Sequence, residues 1–282
     1  MVRVSAIGLL LAHWLLLASC AARIDEPWRW PSVDPPAGAA PGVGLVPVRV
    51  AVAPSLVPLM ERLEPYYEAA RPGVDLVIHA GPKTGEVDPA RWLALRLERG
   101  AEADAFLAES MGQVDALERE VQGSMAWLGN TLAVVVPRGS TLDRRELALG
   151  RAPVHIALQR SELGRWTRAS LRESELWGDV SLAAGVFDDG SAIIERVRYF
   201  YEQTTPQRGR QESFGIVFGS DAHAAQDRVR VVGYLDQPRG DPLVHAIAWF
   251  TDEGAALASW LAESEDARVA AARGGFIVGG PR

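Results

Sequence analysis

From Pro47 onward, short apolar runs alternate with longer segments whose apolar residues recur every three to four positions, the periods of strand and amphipathic helix. Strands are predicted at Val48–Ala53, Asp75–His79, Asp104–Leu107, Thr131–Val136, Val154–Ala157, Phe214–Phe218, Arg228–Val232 and Leu243–Trp249. Helices are predicted at Ser55–Ala70, Ala90–Arg99, Met111–Glu118, from Asp143, and at Arg165–Arg172, Ser191–Tyr201, Ser220–Gln226, Glu253–Glu263 and Ser264–Arg273. In the first helix Ser55 can cap the N-terminus, Leu56, Leu59, Met60 and Leu63 share a face, and Arg71-Pro72-Gly73 ends it. Such alternation marks an α/β protein, and the roughly 236 residues from Pro47 suit two lobes better than one sheet.

The N-terminus follows a different pattern. Arg3 precedes the apolar run Ala6–Leu17, too short to span a bilayer but long enough for a signal-peptide core. It ends in Leu17-Ala18-Ser19-Cys20, which resembles the bacterial lipoprotein signal. Cys20 is the only cysteine, so no disulfide can form within the chain. Acyl chains on Cys20 would hold the protein at a membrane without a spanning helix. Beyond it, Pro27, Pro31, Pro35, Pro36 and Pro41 among Ala and Gly favour an extended tether. Trp28 and Trp30 within it could dock on the domain, sit at a lipid interface or stand idle. The expected division is 1–19 signal peptide, 20–46 tether, 47–128 with 233–282 lobe 1, and 129–232 lobe 2.

Composition narrows the chemistry. With 48% hydrophobic residues the chain can build a core, and a net charge of −7 argues against a nucleic-acid partner. Lys83 is the only lysine. Beyond His13 in the signal, His79, His155, His223 and His245 are scattered with no metal-ligand spacing; the apolar strand contexts of His79, His155 and His245 read as structural, and His223 as solvent-facing. No Gly-x-Ser-x-Gly elbow occurs, and Gly81-Pro82-Lys83-Thr84-Gly85 lacks the first glycine of a phosphate loop. Neither an enzyme nor a cofactor or metal is expected. What remains is a set of strand-to-helix junctions, Pro54-Ser55-Leu56, Asp189-Gly190-Ser191 and Gly219-Ser220-Asp221, where unpaired N–H groups at the carboxyl edge of a sheet favour an anion.

The order of segments resembles the molybdate-binding proteins of ABC transporters, a branch of the type II periplasmic solute-binding proteins. Val50-Ala51-Val52-Ala53-Pro54-Ser55-Leu56 is similar to that family's first strand and ligand-binding serine, and Gly100-Ala101-Glu102-Ala103-Asp104-Ala105-Phe106 to its Gly-Ala-Pro-Ala-Asp-Val-Phe block. Gly129-Asn130-Thr131-Leu132-Ala133-Val134-Val135-Val136-Pro137 resembles the crossover into its second lobe, Phe214–Ala222 its Ala-Gly-Ile-Val-Tyr-x-Thr-Asp-Ala segment, and Gly274-Gly275-Phe276 its closing block. The resemblance runs from Val48 to Phe276 and implies a two-lobed α/β fold with a hinge and an interlobe cleft.

It also implies a site. Ser55 corresponds to the first-lobe serine, Thr84 is the hydroxyl nearest the second one, and Leu163 corresponds to a backbone N–H donor. Gly190 and Ser191 fall near a further contact. The family's tyrosine, whose phenol donates to the oxyanion, is Phe218 here, so that donor is lost. Either another group replaces it or the ligand differs; Lys83 could bring a charge and three donors, or be a turn lysine that touches nothing. The function implied is capture of molybdate or tungstate for an ABC permease by a monomeric, extracytoplasmic, membrane-anchored lipoprotein. The alternative is a divergent lipoprotein of this fold that serves as a sensor or interaction module, or binds a different anion.

Overall fold

The computed structural model describes residues 45–80, 89–100, 102–117, 120–150, 152–178, 180, 184–203, 212–240 and 242–279. The signal peptide, Cys20, nearly all of the tether, Lys83 and Thr84 lie outside the described residues. The chain enters β1 (Val46–Val52), makes a 3-10 turn at Pro54–Leu56 and continues into α1 (Val57–Ala70). Then follow β2 (Val74–Ala80), α2 (Pro89–Glu98), β3 (Ala105–Ala108), α3 (Met111–Asp115) and β4 (Gly123–Gly129). The next part contains β5 (Leu132–Pro137), α4 (Arg144–Ala148), β6 (Val154–Ala157), α5 (Glu162–Glu173), β7 (Ala184–Phe187), α6 (Gly190–Gln203), β8 (Phe214–Phe218), α7 (Gly219–Ala224) and β9 (Val229–Leu235). Finally β10 (Val244–Trp249), α8 (Asp252–Glu263) and α9 (Glu265–Arg273) close the chain.

Two five-stranded sheets result, ordered β2-β1-β3-β10-β4 and β7-β6-β8-β5-β9. In the first, β1 pairs parallel with β2 and β3, while β10 is antiparallel to β3 and β4. In the second, β6 pairs parallel with β7 and β8, while β5 is antiparallel to β8 and β9. Each sheet has its own core. Leu56, Leu59, Met60, Leu63 and Tyr67 of the first helical segment pack with Leu107, Ile247 and Leu257 around one. Val134, Ile156, Trp166, Ile193, Phe214 and Phe218 form the other.

Two strands escape the hydrophobic pattern, β4 and β7. Among the described residues both are edge strands, β4 pairing with β10 and β7 with β6, and an edge strand needs fewer apolar positions. Ser55 also departs from expectation. It sits inside the 3-10 turn rather than capping the helix, because Pro54 starts the turn; the cap of α1 is Leu56, with no side-chain hydrogen bond. Asp143, by contrast, caps α4 in a reciprocal capping box with Glu146. The second sheet keeps β9 through Leu235, so the return to the first sheet falls after that residue rather than at the expected 233.

The chain passes between the sheets at Asn130, and this buried amide ties the crossing together. Its Oδ1 accepts from the N–H groups of Thr131 (2.9 Å) and Ser220 (3.3 Å), and its Nδ2 donates to Ser220 Oγ (2.9 Å) and lies 3.1 Å from His245 Nε2. The Asn130 backbone donates to Leu243 and accepts from the Gln237 side chain. Rings continue the link, since His245 stands edge-on to Phe218 of the second core (5.8 Å) and to Phe276 of the first (5.6 Å). Asn130→Ala strands buried partners at once, so we expect a loss of about 2–4 kcal/mol, read as a lowered urea midpoint.

Candidate functional site

In a parallel sheet every strand points its carboxyl end to the same edge, where the following helix begins. Here the segments that follow β1, β3, β6, β7 and β8 all reach a single cavity of about 180 Å³. The first sheet contributes Pro54, Ser55 and Pro58 after β1 and Glu109 after β3. The second contributes Ser161 and Leu163 after β6, Asp188 to Ser191 and Ile194 after β7, and Phe218, Asp221 and Ala224 after β8; Arg228 completes the wall.

Local sequence explains how each segment arrives. Ser161 caps α5, accepting from the Gly164 N–H (3.0 Å) and donating to the Leu158 carbonyl (2.8 Å). That leaves Leu163 in the first helical turn, where N–H groups have no intrahelical acceptor. Gly164 is required because a Cβ there would collide with the Leu158 carbonyl. At α6 the side chain of Asp189 accepts from the Ala192 N–H (2.8 Å), placing a carboxylate at the positive end of this helix. Gly190 admits the Asp221 carboxyl, which a Cβ would displace. The α7 start is committed to the crossing between sheets: the Gly219 N–H donates to Thr131 O and the Ser220 N–H to Asn130 Oδ1, so of the expected Gly219-Ser220-Asp221 junction only Asp221 lines the cavity.

The cavity is more acidic than the sequence reading implies. Among the described residues four carboxylates, Glu109, Asp188, Asp189 and Asp221, line it with one guanidinium, Arg228, which is itself 2.5 Å from Glu195 Oε1. Glu109 is only 7% exposed, and the Ser55 hydroxyl donates to its Oε1 at 3.1 Å. Its backbone N–H donates to Gln113 Oε1 (2.9 Å), which fixes the turn after β3. Burial above all, and then the charge of Asp189, push the Asp221 carboxyl up to about 7, against a backbone hydrogen bond from Phe218. Phe218 supplies an apolar wall, its ring edge-on to Trp166 at 6.0 Å.

Of the residues singled out in the sequence, Ser55, Leu163, Gly190, Ser191 and Phe218 line this one cavity. Lys83 and Thr84 fall outside the described residues. Sequence reasoning missed Glu109, Asp188 and Arg228, and it named Asp189 and Asp221 within the strand-to-helix junctions without giving their carboxyls a role. Glu109 carries a usable signal, because it directly follows β3 and therefore stands at the carboxyl edge. Among the histidines, burial holds His155 and His245 down to about 4, with the Arg196 charge adding to it at His155 and a backbone hydrogen bond with Ala108 opposing it at His245. Among the described residues no group of three metal-ligating side chains occurs, and no helix is long and apolar enough to cross a membrane.

The profile of the bacterial extracellular solute-binding proteins matches residues 48–277. The fold is that of solved solute-binding proteins. The substrate-binding domain assigned to a molybdenum ABC transporter of Clostridium difficile superposes with a TM-score of 0.66 at 18% identity, covering 83% of this chain and 99% of that one. The periplasmic molybdate-binding protein of Azotobacter vinelandii gives 0.62 at 13% identity, covering 83% and 100%. The sulfate-binding protein SubI of Mycobacterium tuberculosis H37Rv gives 0.62 at 15% identity, covering 84% and 88%. No protein of curated function matches the chain.

The raised Asp221 sets a pH dependence whose sign is fixed. An acid at about 7 in the native state, against its ordinary 3.8, binds its proton more tightly folded than unfolded, so native stability falls as pH rises from about 4 to 7. Asp221→Asn removes that loss. We expect the variant to melt within a degree or so of the parent at pH 4, and about 5 °C above it at pH 8, by differential scanning calorimetry.

Proposed function

The chain belongs to the bacterial extracellular solute-binding protein family, and from that premise we propose that it captures a tetrahedral oxyanion in its cleft and delivers it to an ABC import permease. The observation that carries this reading is that Ser55 from one sheet and Leu163, Gly190 and Ser191 from the other line a single cavity. Helix starts bring N–H donors there without net charge, which suits an ion that must be held firmly and then released. Closure of the two lobes about the Asn130 crossing would exclude water and strengthen each of those hydrogen bonds. In this role Ser55, Leu163, Gly190 and Ser191 meet the ion, and Phe218 shapes the wall. Nothing in this cycle makes or breaks a covalent bond.

Molybdate and tungstate are the ions named by the sequence resemblance, and two of the structural relatives carry molybdenum or molybdate in their descriptions. The four cleft carboxylates favour a second reading, in which this chain takes a different anion or has become a sensor or interaction module. The lipid on Cys20 completes the proposal by keeping a monomeric receptor beside its permease, outside the cytoplasm.

Isothermal titration of the purified chain with molybdate, tungstate, sulfate and phosphate is the test. Heat with at least one ion, abolished or cut at least tenfold in Ser55→Ala, is the expected result. Silence with all four overturns oxyanion capture in favour of the module. Anchoring is checked separately: metabolic palmitate labelling should mark the protein, and Cys20→Ser should leave it unlabelled and in the soluble fraction.

A further inference from the structure

We propose that the chain carries a second ligand site, on the far side of α7 from the cleft, which binds a small phosphate monoester, its dianionic head held by Arg138 and Arg230 and its carbon body laid on an apolar floor. This site is independent of oxyanion capture in the cleft.

The short helix α7 presents two sides. Asp221 and Ala224 line the cavity already described, whereas Ala222 and His223 line a second one of about 470 Å³. That volume lies within the range of roughly 300–1,000 Å³ typical of small-molecule sites. Segments tied to both sheets border it. Thr131 and Gly219 adjoin the Asn130 crossing, and Gly275 leads into Phe276 of the first core. Gly275 lies so near α7 that a Cβ on it would collide with the His223 Cβ, and its φ of +82° suits glycine.

Charge defines the head of the ligand. In a chain of net charge −7, no carboxylate lines this cavity among the described residues, while Arg138 and Arg230 do. Each guanidinium is steadied by neutral carbonyls instead of an acid: Arg138 Nη1 donates to Gln226 O (2.7 Å), and Arg230 Nη2 to Ser140 O and Leu142 O (both 2.9 Å). Those bonds orient the side chains without cancelling their charge, and among the described residues most of the five N–H donors in each fork stay uncommitted. An arriving anion meets cations that are already ordered.

His223 and the Tyr234 phenol bring further polar groups to the wall. Donors on these four side chains, two of them cationic, outnumber the two oxygens of a carboxylate and suit the three terminal oxygens of a phosphate ester. The floor is apolar: Val229 is buried, Val231 half-buried, and the Tyr234 ring beside them is 53% exposed. A bare inorganic ion leaves that surface wet, and the carbon body of an ester covers it.

Phenyl phosphate is the probe, with inorganic phosphate and benzyl alcohol as its two halves. The reporter is the His223 imidazole, which lines this cavity and not the cleft, and whose NMR signal is assigned by its absence from His223→Gln. In the purified chain phenyl phosphate should shift that signal saturably, with an affinity at least tenfold above that of either half. Arg138→Gln should weaken the binding at least tenfold, while Ser55→Ala, in the cleft, keeps it within threefold of the parent's. No saturable shift with phenyl phosphate overturns the site. Either half binding as tightly as the ester overturns the ligand class, and so the proposal. Binding lost in Ser55→Ala and kept in Arg138→Gln belongs to the cleft and overturns it as well. The parent and Ser55→Ala titrations leave this cavity unaltered, so they decide the matter even if Arg138→Gln does not fold. Each of these failures leaves oxyanion capture standing.

Discussion

The direction of the parallel strands is the constraint on which the molecule depends. Because β1 and β3 in one sheet, and β6, β7 and β8 in the other, deliver their following segments to the cavity side, five loops of unrelated sequence meet there. A helix start brings N–H groups with no internal acceptor, and each must be satisfied by a cap, by water or by a ligand. In this chain some are taken by its own groups, Ser161 at α5 and Asp189 at α6, and the 3-10 turn at Ser55 carries no side-chain cap at all. The balance between capped and uncapped starts decides how many unpaired N–H groups the cavity side presents.

Set against those donors is an acidity that a simple oxyanion receptor does not require. Burial of Asp221 and its nearness to Asp189 raise the cost of full ionisation, so part of the negative charge is held off by a retained proton. Arg228 offsets some of the rest while spending itself on Glu195. The lining described thus resembles a mixed surface of donors and acceptors more than a positively polarised trap.

Much of this was legible in the chain. Periodicity located most of the elements, with β6 and β8 at their observed limits, and Asp143 and Ser264 mark helix starts that the structure keeps. Edge strands were not legible, since β4 and β7 are half-covered and lack the run of β-branched residues that betrays a central strand. Ser55 was recognisable by its place after the first strand, but its bond to Glu109 was not, because the two lie 54 residues apart and meet only when β1 and β3 pair. The same holds for Asp221 beneath Gly190: a glycine in sequence says that something comes close, not what. Tertiary approach, rather than local propensity, created the charges of the cleft.

The amide at Asn130 has a consequence for the joint between the sheets. Two backbone donors, from Thr131 and Ser220, fix which end of it is oxygen, so its nitrogen is the atom facing His245 Nε2. That ring nitrogen must therefore be bare, and the imidazole carries its hydrogen on Nδ1 as a neutral tautomer, in keeping with a group that burial holds at about 4. The junction between the sheets is therefore electrically silent. Acidity near neutrality protonates Asp221 in the cavity and leaves this amide–imidazole contact as it is, which uncouples the charge state of one from the integrity of the other.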